Sequence, residues 1–126
     1  MYFDQKIYFL QYDDFELDGK LKHDLKGRYI LIMVGGSYCP HCTMTVPELD
    51  AFTKNALEQK LNIISGFVQV DGDDTEKQLG RFFGKMYEIK GIPVFLLYGP
   101  DGKIVKVNYE DRSRDELMNF VLANIS

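Results

Sequence analysis

Ser37-Tyr38-Cys39-Pro40-His41-Cys42 holds the only two cysteines of the chain and sets them three positions apart. Thiols at that spacing can bond to each other. A helix beginning at Pro40 puts the Cys39 sulfur at its positive end, where unpaired N–H groups and the macrodipole favour thiolate over thiol. Proline suits that first helical turn because its missing N–H costs nothing there. The thiolate is the attacking species in disulfide exchange, so a cysteine with a lowered pKa is reactive at neutral pH. His41 stands between the sulfurs and can add a donor or a positive charge. Cys39 is therefore the candidate nucleophile of a dithiol/disulfide site, with Cys42 as its partner. Two other readings stay open at this point: buried structural thiols, and a zinc site. Zinc needs four ligands, and the chain offers Cys39, Cys42, His41 and the distant His23, with His41 poorly placed to share an ion with both sulfurs. A zinc site shared between subunits escapes that objection.

A chain of 126 residues fits one domain, 1–126, whose core needs no disulfide staples. Its 45% hydrophobic and 13% aromatic content is that of a folded globular protein, and its formal net charge of −4 gives no electrostatic reason to expect a nucleic-acid partner. With both cysteines in one motif, none is left for a structural framework. The start, Met1-Tyr2-Phe3-Asp4-Gln5-Lys6, lacks the basic residues, long apolar run and small-residue cleavage site of a secretory signal, so a cytoplasmic location is expected. A secreted or periplasmic protein trimmed of its signal would read the same. The longest uncharged apolar run, Tyr29 to Gly36, is too short to span a bilayer, so no membrane insertion is expected.

Ile7-Tyr8-Phe9-Leu10 reads as a first strand. Between Asp13 and Gly27, Phe15, Leu17, Leu21 and Leu25 suit a small hairpin about Asp18-Gly19, although Leu17, Leu21 and Leu25 also fit one helical face; Gly19 tips the reading to the hairpin. Tyr29-Ile30-Leu31-Ile32-Met33-Val34 is a continuous apolar run, the pattern of a strand buried on both faces. The spacing predicts a helix from Pro40 to about Lys60 with Leu49, Phe52, Ala56 and Leu57 inward, bent at Pro47. A strand from Leu61 to Val70 and a helix from Thr75 to Tyr87 follow, the latter with Leu79, Phe82, Phe83 and Met86 inward. Gly91 to Tyr98 is the next strand, turned at Gly99-Pro100-Asp101-Gly102 into Lys103 to Tyr109. Ser113 to Glu116 has the capping-box pattern and opens a last helix with Leu117, Phe120, Val121 and Ile125 on one face. The order β, β, α, β, α, β, β, α describes an α/β fold, a mixed sheet with helices on both faces.

From Tyr29 to the carboxyl end the sequence resembles the thioredoxin superfamily, on several features that agree in spacing. A central strand leads into Cys-X-X-Cys at a helix start, a proline follows eight residues after the first cysteine at Pro47, and a cis-proline is expected at Pro93 within Gly91-Ile92-Pro93. Asn108 to Ser113 resembles the corresponding stretch of protein disulfide isomerase domains, and Pro40-His41 is the dipeptide of DsbA-type oxidases. Gly19 through Gly27 into Arg28 looks like the TlpA-like branch, but the interval from Cys42 to Pro93 is too short for that branch's insertion. The resemblance implies a thioredoxin fold and a protein thiol–disulfide oxidoreductase, oxidase- or isomerase-like, working through Cys39, Cys42, His41 and Pro40. Tyr38, Ile92 and Pro93 are then the residues that face a substrate segment. It implies no cofactor. The partners are protein or peptide thiols and disulfides, together with a redox partner protein, and the molecule is expected to be a monomer.

Two positions depart from the family pattern. The family often buries an acid six residues before the first cysteine and pairs it with a lysine on the following strand; here those positions are Met33 and Phe67. An apolar pair in place of an ion pair avoids a half-satisfied buried charge. It also removes the acceptor for the Cys42 proton, and this favours a competing reading, a thioredoxin-fold binding module with little or no turnover. The tryptophan usual before the first cysteine is Tyr38.

Overall fold

A computed structural model describes residues 2–22, 25 and 27–125. Its elements run β1 (Ile7–Phe9), β2 (Tyr29–Gly35), α1 (Pro40–Glu58), β3 (Ile63–Gln69), α2 (Asp74–Tyr87), β4 (Val94–Tyr98), β5 (Ile104–Asn108) and α3 (Arg114–Asn124), with a 3₁₀ turn at Tyr12–Asp14. The strands form one sheet in the order β1-β3-β2-β4-β5. β2 lies in the middle, parallel to β3 and antiparallel to β4.

The uniform apolar run of β2 has the cause its composition suggests. Alternate residues of a strand point to opposite faces. Leu31 and Met33 enter a core with Leu49, Phe52, Leu117 and Val121 of α1 and α3. Ile30, Ile32 and Val34 enter a second core with Leu79 and Phe83 of α2. β4 divides in the same way, Phe95 and Leu97 to the first core and Val94, Leu96 and Tyr98 to the second. Each face needs its own helical cover, which is why the chain crosses the sheet between α1 and α2.

Local chemistry starts the helices. Asp73 and Glu76 form a reciprocal capping box on α2, with Glu76 N–H donating to Asp73 at 2.8 Å and Asp73 N–H to Glu76 at 2.9 Å. Ser113 and Glu116 do the same for α3. Asp50 and Glu48 of α1 reach outward. Asp50 accepts from the backbone N–H groups of Asp4 and Gln5, and Glu48 from that of Arg114 at the start of α3. Leu57, expected inward, is 74% exposed. Eight residues past Leu49 it has rotated about 80° off the stripe.

The expected hairpin about Asp18-Gly19 is present in short form: Phe15 and Leu21 make an antiparallel bridge, with Lys22 N–H donating to the Asp14 carbonyl at 2.9 Å and Glu16 N–H to the Lys20 carbonyl at 2.7 Å. Two further bonds tie this hairpin to the sheet: Leu21 N–H donates to Gly102 in the β4–β5 turn at 2.9 Å, and the Tyr98 hydroxyl donates to the Gly19 carbonyl at 2.8 Å. Tyr98 is fully buried, so its hydroxyl stays protonated; burial and its bond with Tyr87 both push its pKa up. His23, weighed above as a distant zinc ligand, lies outside the described residues. The strand expected from Gly91 begins at Val94.

The two edges of the sheet are modest. β1 is three residues long, and β5 carries exposed Lys106 and pairs with β4 through an irregularity at Leu97/Tyr98.

Tyr98→Phe removes the hydroxyl that satisfies the buried Gly19 carbonyl. It is expected to cost about 1–3 kcal/mol, read as a lower urea midpoint with an unchanged slope. An unchanged midpoint would mean that water replaces the hydroxyl freely.

Candidate active site

β2 ends at Gly35, and the chain turns through Gly36-Ser37-Tyr38 before α1 opens at Pro40. Cys39 is the N-cap of α1, and its sulfur accepts the Cys42 N–H at 3.1 Å, taking a role usually filled by a serine or aspartate oxygen. Proline occupies the first helical position. Cys39 and Cys42 form a disulfide.

The two sulfurs differ in their surroundings. Cys39 is partly exposed at the helix's positive end. Cys42 is fully buried in the core beneath it. A methyl built at Gly35 would meet Phe67 Cε1 at 3.0 Å, Met33 Cε at 3.3 Å and Cys42 Sγ at 3.4 Å, so the buried sulfur shares its space with these two apolar side chains. Met33 and Phe67 are direct neighbours across the β2–β3 pairing. Phe3 and Phe9 pack on Phe67 with ring centroids 5.6 Å away. An apolar surrounding of this kind holds a thiol neutral, whereas the helix end favours an anion at Cys39.

The Ile92–Pro93 peptide bond is cis, and the Ile92 carbonyl oxygen lies 3.7 Å from the Cys39 sulfur. Pro93 is buried and Ile92 half-buried against both cores. Tyr38 is 87% exposed, Met44 is 71% exposed, and Pro40 and His41 are also at the surface. The structure thus gathers Cys39, Pro40, His41 and Cys42 on one turn with Tyr38 beside them, and brings Ile92 and Pro93 to the same place from the far side of the sequence. Pro47 lies inside α1. Among the described residues no three His, Cys, Asp or Glu side chains form a group that could hold a metal ion.

One residue of the site belongs to no motif in the sequence. Asp71, just past β3, accepts the N–H of Ser37 at 2.8 Å and of Tyr38 at 2.9 Å, and the Ser37 hydroxyl at 3.3 Å. Partial burial pushes its pKa up, but the Tyr38 and Ser37 donors outweigh that and hold it below the ordinary 3.8. The available signal was topological: parallel neighbours β2 and β3 end on the same side of the sheet, so a residue just past β3 faces the turn after β2.

The family model described as Thioredoxin matches residues 10–123. The chain belongs to the thioredoxin family. In this thioredoxin-family protein the Cys-X-X-Cys pair carries, at family level, a thiol–disulfide redox role. It is 27% identical to thioredoxin-like protein 453L of Invertebrate iridescent virus 6, over 96% of both chains. It is 26% identical to a rice protein (Oryza sativa subsp. japonica) named nucleoredoxin 3, over 68% of this chain and 22% of that much longer one. A solved structure of a malarial protein, 15% identical, superposes with a TM-score of 0.55 over 79% of this chain and 99% of that chain, a likeness of fold.

The Asp71 bonds give a pH signature. A carboxylate whose pKa is lowered on folding stabilises the native state above its unfolded value, and that stabilisation is lost as pH falls through the lowered native value. Wild type is therefore expected to exceed Asp71→Asn in stability at neutral pH by about 1 kcal/mol or less, because these bonds lie at the surface. The gap should close below the ordinary carboxylate range. Chemical denaturation of both proteins from neutral to strongly acidic pH checks this, and a pH-independent gap would contradict it.

Proposed function

We propose that this protein is a thiol–disulfide oxidoreductase acting on protein or peptide thiols through Cys39 and Cys42, and that it works in the oxidising direction. The observation that carries the reading is the asymmetry of the two sulfurs, one partly exposed at a helix N-terminus and one buried among Met33, Phe67 and Gly35.

The reaction follows from that asymmetry. A substrate thiolate attacks Cys39 Sγ, the accessible sulfur, and a new sulfur–sulfur bond forms as the Cys39–Cys42 bond breaks. The bonding electrons leave on Cys42 Sγ, which takes up a proton released by the substrate's second thiol. That second thiolate attacks the substrate sulfur of the mixed disulfide and expels Cys39 as a thiolate, held by the helix end and the Cys42 N–H. The substrate dithiol has become a disulfide and the protein a dithiol. A redox partner protein with a disulfide must then reoxidise it. The closing state suits each sulfur, a neutral thiol in the apolar core and an anion at the helix end. The reverse direction requires Cys42 to lose its proton among apolar side chains, and its cost rises accordingly. The Ile92 carbonyl beside the Cys39 sulfur, with exposed Tyr38 next to the motif, supports docking of a peptide strand.

The same apolar surround of Cys42 favours a second reading, a binding module of this fold with little turnover. Oxidation of a reduced dithiol peptide and reduction of insulin, each with wild type, Cys39→Ser and Cys42→Ser, separate the two. Wild type should oxidise the peptide faster than it reduces insulin; Cys39→Ser should be inactive, and Cys42→Ser should accumulate a mixed disulfide after reaction with an activated substrate disulfide. Equal activity in all three proteins would sink the oxidoreductase reading, and insulin reduction outpacing peptide oxidation would reverse the direction.

A further inference from the structure

We propose that Asp71 is the positioning residue of the redox motif: its carboxylate holds the turn that presents Cys39, and its charge limits how oxidising the Cys39–Cys42 pair is. This rests on the thiol–disulfide reading above.

The turn between β2 and α1 decides where the Cys39 sulfur sits, and the N–H groups of Ser37 and Tyr38, the two residues before Cys39, both donate to Asp71. The Ser37 hydroxyl adds a third bond to the same oxygen that accepts its N–H. β3 carries Asp71 into this position. Its pairing with β2 runs through Gly35–Gln69 and continues in the Val70 N–H bond to the Gly35 carbonyl at 3.0 Å, while the Gln69 side chain donates to the Asp71 carbonyl. The fit is close. A Cβ at Gly36 would lie 2.5 Å from Asp71 Oδ2 and 2.7 Å from Cγ, so the carboxylate occupies room that exists only because residue 36 has no side chain.

The charge acts against the thiolate. The N-terminus of α1 favours one anion at Cys39, and Asp71 places a second on the backbone of the adjoining residue. Like charges disfavour one another's ionised forms, so Asp71 raises the free energy of the Cys39 thiolate and with it that of the reduced protein. Geometry and charge therefore pull in different directions, and two variants separate them. Asp71→Asn removes the charge and keeps the shape with one of the two acceptor oxygens, so that one backbone bond is lost. Gly36→Ala keeps the charge and pushes the carboxylate off its donors.

The disulfide/dithiol equilibrium of each folded variant is measured at neutral pH in glutathione buffers, with the rate at which reduced glutathione opens the disulfide. Asp71→Asn is expected to move the equilibrium toward the dithiol by about three- to tenfold. Gly36→Ala is expected to slow disulfide opening by about tenfold while its equilibrium stays within about twofold of wild type, a split that general loosening of the fold would not give. An Asp71→Asn equilibrium within about twofold of wild type overturns the electrostatic role, and an unchanged rate in Gly36→Ala overturns the positioning role. Glutathione needs no protein substrate. A wild type that exchanges while the variants match it removes Asp71 alone, whereas a wild type that fails to exchange removes the oxidoreductase reading and this inference together.

Discussion

Burial of β2 on both faces is the constraint on which the rest depends. With β3 on one edge, β4 on the other and a helical layer over each face, residues Ile30 to Gly35 are buried, and their backbone groups must be paired within the sheet. The chain regains the surface only past the carboxyl end of that strand. Cys39 stands there, at the point where a strand gives way to a helix, so its helix-end position and partial exposure follow from the layering of the sheet. β4 starts at the same end of the sheet because it runs antiparallel, and this brings Ile92 and Pro93 to the sulfurs from a distant part of the sequence.

That constraint also explains why the two cysteines differ. Three residues into α1, Cys42 already points into the core, next to Met33 and Phe67. A lone carboxylate or ammonium there would be unpaired and costly, and an ion pair would have to overcome the desolvation of both partners. The two apolar side chains fill the space without either cost. They leave the buried sulfur in a setting that prefers it neutral, and the pair of cysteines is polarised by position alone.

Much of this is legible in the sequence alone. The unbroken apolar run of β2 marked a strand covered on both sides, the Ser113-to-Glu116 spacing marked the start of α3, and the two cysteines before a helical stripe marked the site. These signals are local, and local chemistry decides them. The small hairpin about Asp18-Gly19 is legible too, but not its anchorage, because the bonds that tie it to the sheet go to Gly102 and Tyr98, far away in sequence. Leu57 misled because its neighbours in the stripe are apolar while its own angular position has already left the core. Asp71 was hidden for a third reason. An aspartate before a glycine reads as a turn, and its role depends on two parallel strands ending side by side.

The edges of the sheet carry a consequence for what the protein can recruit. A three-residue β1 has too little free backbone to template a visiting strand, and the lysine and broken register of β5 discourage pairing on the other side. A wandering extended segment thus gains little by adding to either margin. Such margins resist fibrous self-association of the native protein. They also bear on the proposed exchange with protein or peptide thiols, since an extended segment that finds no purchase along the flanks is left to sample the stretch beside the sulfurs.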